Sequence, residues 1–246
     1  KTADLMVIRN PYVILGLVLI GIFVLFVVSK MPQSKEEDSM PSIRDTFATL
    51  AKNTKYILGV LSQILYVGAQ IMCWTYIYQY AEGIGIDNVT AGTYQLVAFG
   101  LFIVGRAIGT YLLRFMSSGK LLMYFAIFAI ACVAGTIFIQ GIVGLYCLVG
   151  VSFFMSLMFP TIYGIALGGL TEEQSKVGSA GLVMAIVGGA LMPKLQGMII
   201  DAGGNGVADT KIMGVSEVNF SFILPLFCFL YIAWYGLRVH KKNLYK

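Results

Sequence analysis

Apolar residues run through this chain in long blocks divided by short polar turns, the rhythm of helices that cross a bilayer. Each block is near or above the ~20 residues that cover about 30 Å of hydrocarbon. About seven can be marked: 12–29, entered through Pro11, then 56–81, 90–116, 121–140, 143–170, 177–202 and 220–239. The fourth turns almost at once, around Gly141, into the fifth. Between the first and second lies a polar segment, 30–55, with Lys35, Glu36, Glu37 and Asp38 in a row. Within it Ile43, Phe47 and Leu50 recur at helical spacing, with Arg44, Asp45 and Lys52 on other faces. That spacing predicts a short amphipathic helix on the membrane surface. The expected fold class is an all-α membrane protein.

Composition agrees. Of 246 residues, 58% are hydrophobic and 12% charged, and the mean hydropathy is +0.83, too apolar for an ordinary soluble domain. A net charge of +5 could suit nucleic acid. The cations, however, sit in short clusters between apolar blocks, so no nucleic-acid partner is expected. Lys30, Lys35, Arg44, Lys52 and Lys55 lie in the long connection, Arg114 and Lys120 after the third block, and Lys176 after the fifth. Arg238, Lys241, Lys242 and Lys246 follow the last. With alternating spans all fall on one side, against acidic or neutral turns at 82–87, 140–142 and 201–217. The basic side is therefore expected in the cytoplasm, with the C-terminus, and Lys1 and Arg9 are mild exceptions. The expected location is the plasma (bacterial inner) membrane.

No chemistry of bond making stands out. The chain has no H-E-x-x-H, no P-loop and no Ser-His-Asp set, and its sole histidine, His240, lies in a basic tail. Cys73, Cys132, Cys147 and Cys228 sit inside apolar blocks without metal-ligand spacing, as small buried residues rather than disulfide partners. No enzyme activity, cofactor or metal is expected.

Polar groups inside the second block are the candidate site. At about 100° per residue Gln63, Tyr66, Gln70 and Trp74 share one helix face, with Tyr78 beside them. Lipid does not reward an exposed amide, so the stripe should face protein or a water-filled cavity. Amides that both donate and accept, set beside aromatic faces, suit a polar uncharged ligand such as a sugar. The alternative is structural glue between helices, in a non-transporting receptor or scaffold. Tyr80, near the end of that helix, fits an interfacial aromatic belt as well.

In the fifth block Ser152, Ser156, Phe159 and Tyr163 share a face. Pro160 is expected to kink that helix, and Pro193 the sixth. The kink either moves with access to the site, with Phe159 and Tyr163 toward the ligand, or is static. Gly181, Ala185 and Gly189 at every fourth position predict close helix packing, with a sliding surface as the other reading. Arg106 is costly in lipid unless paired or snorkelling, so it is either a conformational latch or a headgroup anchor. Lys194 either snorkels outward or faces a cavity.

One span, a long connection and six more spans is the count expected for the last helix of one six-helix half, a linker and a whole second half. That is the architecture of major facilitator transporters. The residues support a closer likeness. The segment 63–74 (QILYVGAQIMCW), Gly105-Arg106-Ala107-Ile108-Gly109-Thr110 with Arg114-Phe115 and Lys120, the run 154–162 (FMSLMFPTI), and Gly178-Ser179, Val183-Met184, Gly188-Gly189, Pro193, Gly197, Asp201 and Gly204-Asn205 occur in order. Together they resemble the fucose–galactose–glucose:proton symporter family of the major facilitator superfamily, from residue 56 onward. Lys194, where an apolar residue is expected, and the polar segment 203–217 depart from it.

The resemblance implies three parts: 1–29 as the last helix of an N-terminal half, 30–55 as a cytoplasmic linker, and 56–246 as the C-terminal bundle. It implies sugar and a proton as partners, alongside the lipid bilayer and the missing N-terminal half of the same protein. In that family the proton-binding carboxylates lie in the N-terminal half. This chain carries no Asp or Glu in the middle of a span.

Overall fold

The chain divides into two compact units, Lys1–Met40 and Pro41–Lys246. The structure, a computed structural model, describes residues 2–29, 43–204 and 211–241. The charge cluster at 35–38, Lys30, Lys242 and Lys246 lie outside them. The first unit is one helix, α1 (Thr2–Val28). It runs through Pro11 instead of starting there, because the preceding Ala3, Leu5 and Met6 are good helix formers. Its described side chains from Tyr12 onward are nearly all exposed.

The second unit opens with α2 (Ile43–Lys52), which packs on the protein through Leu50 and Thr46 while Phe47 points outward. The apolar face that the sequence assigns to a membrane surface is thus partly spent on α9 (Glu172–Met184) and α3 (Thr54–Thr75). Leu50 joins Tyr56, Ala166 and Leu182 in a small core of its own.

Among the described residues six stretches are long and apolar enough to cross a membrane, by length and composition. Three of the six are interrupted. Asn53 caps the start of α3, its side chain accepting from the Lys55 and Tyr56 amides. The helix gives way at Tyr76 to α4 (Ile77–Gly83). Two uninterrupted helices follow, α5 (Asn88–Leu112) and α6 (Ser118–Phe138). Asp87 caps α5. The Thr90 hydroxyl, then the Thr90 and Val89 amides, bond to its carboxylate and hold its pKa below the usual range. The turn at Gly141, with φ of +83°, leads into α7 (Ile142–Met155), and after Ser156 and Leu157 comes α8 (Met158–Leu167). The fifth span therefore breaks one turn before Pro160, where Pro160 denies its N–H to the Ser156 carbonyl and crowds it.

In the sixth span a 3₁₀ turn at Ala185–Val187 separates α9 from α10 (Gly188–Ile200). Pro193 lies inside α10, so the irregular turn is more than a turn upstream of the expected kink. A two-residue antiparallel hairpin, β1 (Lys211–Ile212) and β2 (Val215–Ser216), forms part of the polar segment 203–217. Met213 sits at its tip with φ of +53° beside Gly214. The short α11 (Glu217–Ser221) then leads to α12 (Ile223–Lys241).

Helix α3 is the hub, packing on α10, α12 and α8, while α12 lies along α6. Lipid tails give little hydrophobic drive between helices, so close approach and hydrogen bonds carry the assembly. A Cβ at Gly188 would collide with the Ile64 carbonyl, and one at Gly181 with the Tyr56 hydroxyl. The small-residue face of α9–α10 is therefore a packing surface against α3. Tyr80 is 1% exposed and donates to the Ile139 and Gly141 carbonyls, at 3.2 and 3.4 Å. Asn219 Nδ2 donates to the Tyr80 hydroxyl at 3.3 Å and to the Thr136 carbonyl at 3.0 Å. Tyr80 is thus a buried tie between turns, not a member of an interfacial belt.

Candidate functional site

Depth divides the polar stripe of α3. Gln63 and Tyr66 are fully buried, Gln70 and Trp74 half-buried, and Tyr78 exposed beyond the break at Tyr76. Tyr66 gives its hydroxyl to the Met155 carbonyl at 2.9 Å. Gln63 has no partner for either amide atom among the described residues, a cost of about 1–3 kcal/mol for each unmet group. Of the two environments the sequence allows the stripe, protein or a water-filled cavity, both therefore lie in protein. Gln70 also lacks a protein partner among the described residues, but its side chain is accessible.

Around Trp74 an aromatic shelf forms that spacing within one helix could not reveal. The indole N–H donates to Ser152 Oγ at 3.2 Å. Phe99 and Phe102 of α5 meet the ring edge-on, with centroids 5.0 and 5.2 Å away. Across α8, Phe159 and Tyr163 stack at 6.3 Å with 14° between their planes, and Tyr66 meets Phe159 at 6.2 Å. Both rings of that stack are half-buried.

The break at Ser156 and Leu157 is where the three spans converge. Arg106 Nε donates to the Ser156 carbonyl at 3.2 Å, and its guanidinium lies 5.1 Å from the Phe102 centroid. Gly105 makes this possible: a Cβ there would collide with the Phe153 carbonyl and lie 2.7 Å from Ser156 Oγ. Gly109, one turn on, faces Leu157. Arg106 is exposed along much of its side chain while its Nε bonds the Ser156 carbonyl, an arrangement compatible with either sequence reading of it. Its carbonyl partner is the one Pro160 leaves free, and Pro160 was the available signal.

Other candidates lie apart. Pro193 accepts from the Tyr76 hydroxyl through its carbonyl at 2.7 Å. Lys194 is exposed on α10. The four cysteines are free, with Cys73 and Cys228 buried. Among the described residues no group of acidic, histidine or cysteine side chains could hold a metal ion.

No family model matches the chain. It is 51% identical to the L-fucose-proton symporter of Haemophilus influenzae over 242 residues, 98% of this chain and 55% of that protein. It is 32% identical to the L-fucose-proton symporter of Escherichia coli over 80% of this chain and 46% of the relative. Against the glucose/galactose transporter of Brucella abortus the figures are 30%, 94% and 53%. The crystal structure of the major facilitator transporter FucP in its outward conformation superposes with a TM-score of 0.78 at 29% identity, over 94% of this chain and 54% of that one. The chain spans about half the length of the curated relatives it matches. With its membrane-length helices it is a multi-pass membrane protein, and it belongs to the fucose–galactose–glucose:proton symporter family of the major facilitator superfamily, resembling that family's C-terminal half.

Proposed function

We propose that this chain is the C-terminal half of a sugar:proton symporter that works by alternating access, with L-fucose its first-choice sugar and galactose or glucose the others. The choice of fucose follows the 51% identity to a protein named for it, against 30% for the glucose/galactose relative. The observation that carries the reading is a half-buried Gln70 amide, unpartnered among the described residues, one turn from Trp74 of α3, against which Phe99 and Phe102 of α5 pack. Gln70, Trp74 and Tyr78 are the sugar contacts on α3 and α4, and Phe159 and Tyr163 those on α8. Gln63 and Tyr66 lie beneath these contacts, in the packing of α3. The proton is carried by carboxylates of an N-terminal half, and rocking of one half against the other exposes the sugar to alternate sides. The basic end faces the cytoplasm of a bacterial inner membrane.

Equilibrium binding of L-fucose, D-galactose and D-glucose to the purified full-length protein tests this, together with sugar-driven proton uptake in vesicles. One sugar should bind and draw protons inward. A protein that binds none of the three and moves no protons would be a receptor or scaffold whose stripe is helix glue.

A further inference from the structure

The Ser156 carbonyl is the acceptor that an unbroken helix would pair with the N–H of residue 160, and residue 160 is proline. Ser156 itself is fully buried, so water does not readily replace the lost donor. Arg106 Nε from α5 occupies that place at 3.2 Å. One residue earlier in α7, the Met155 carbonyl takes the Tyr66 hydroxyl of α3 at 2.9 Å. Gly105 and Gly109 bring the α5 backbone against the break, where any Cβ would be crowded by Phe153, Ser156 or Leu157. Phe102 links the guanidinium to the Trp74 ring. Two side chains from two other spans therefore hold the one place where the fifth span is not a helix.

We propose that Arg106 is a positioning residue: its guanidinium supplies the hydrogen bond that Pro160 withholds from the Ser156 carbonyl, and so fixes the angle at which α8 leaves α7. Tyr66 adds a bond to the Met155 carbonyl one residue earlier, whose helical donor would be the N–H of Phe159, so its hydroxyl is committed to the protein. The orientation of Phe159 and Tyr163, both on the first turns of α8, follows from that angle. The role differs from that of a charge paired with an acid or a headgroup, because it depends on Pro160. It rests on the transporter reading only for its sugar readout.

The test is a double-mutant cycle in the full-length protein: Arg106→Gln, Pro160→Ala and both together, measured by thermal unfolding midpoint without sugar and by sugar affinity. Arg106→Gln alone should lower the midpoint by several degrees and weaken sugar binding about tenfold, as expected when a buried acceptor is stranded. With Pro160→Ala present, the backbone N–H returns to Ser156 and the Arg106→Gln loss should largely vanish in both readouts. Pro160→Leu supplies the same N–H should Pro160→Ala fail to accumulate. If Arg106→Gln cannot be purified alone, recovery of the double variant supports the proposal and its failure overturns it. An equal loss with and without Pro160, or no loss in either, overturns it. If no sugar binds even the unaltered protein, the transporter reading fails while the midpoint cycle still decides this one.

Discussion

Gln70 and Gln63 are the same residue type on the same helix face, seven positions apart, and the fold gives them opposite work. Gln70 is half-buried and unbonded among the described residues, so a hydroxyl-rich ligand can satisfy it. Gln63 is sealed with both amide atoms unmet. Gln70→Ala should therefore weaken sugar binding about tenfold while leaving the unfolding midpoint in place, since one lost hydrogen bond to a desolvated ligand is worth ~1–3 kcal/mol. Gln63→Leu should do the reverse: an apolar side chain of similar size removes two stranded groups, so the midpoint holds or rises and affinity stays put. Binding isotherms and thermal melts on the two variants decide it, and a tenfold affinity loss in Gln63→Leu would return Gln63 to the ligand. Periodicity identifies the arc of α3 these residues share. It carries no information on depth, because which neighbour covers each turn is settled by α8, α10 and α12. The same limit hid Phe99 and Phe102, whose partner Trp74 lies on another span, and it left Tyr80 open to an interfacial reading that Asn219 and the Gly141 turn exclude.

At the level of elements, the legible features were those with a local cause. The six spans from residue 56 onward and the Gly141 turn follow from hydropathy and glycine. The break before Pro160 follows from a missing N–H. The break at Tyr76 had no proline or glycine to announce it, and the 3₁₀ turn at Ala185–Val187 lies more than a turn ahead of Pro193. That turn immediately precedes Gly188, whose missing Cβ lets α10 sit against the Ile64 carbonyl of α3. Gly188→Val should accordingly drive a side chain into the Ile64 carbonyl and cost about 1–3 kcal/mol of stability, the usual penalty of overpacking. Gly100→Ala, on the open side of α5 with nothing within 4 Å, should be neutral or mildly stabilising, as alanine is the better helix former. Thermal melts of the purified full-length protein compare the two. Equal effects would mean that the α3–α10 contact is looser than this geometry, and the sliding reading of the small-residue face would gain.

On the scale of the whole molecule, charge sorts to the two ends of the bundle. Lys55 donates to the Gly168 carbonyl, and Ser117 approaches His240 at 3.5 Å, so the turns bearing Lys55, Arg114, Lys120, Lys176, Arg238 and Lys241 gather at one end. The Tyr80–Asn219–Gly141 ties gather the other, with Glu82, Asp87, Asp201 and Glu217. The sidedness was legible in the sequence because it needs only alternation of spans. What alternation cannot give is the absolute direction, which rests on the retention of Lys and Arg in the cytoplasm during insertion. Glu82 and Glu173 are exposed at opposite ends, and each tolerates a small side chain. In full-length protein lacking the four native cysteines, Glu82→Cys should react with an impermeant thiol reagent applied to intact cells. Glu173→Cys should react only after the membrane is opened. The opposite pattern would invert the bundle and place the C-terminus outside. It would leave the packing of α3 untouched, but it would reverse which face of the Ser156 break meets the incoming sugar, because the Arg106 end of α5 would then open to the exterior.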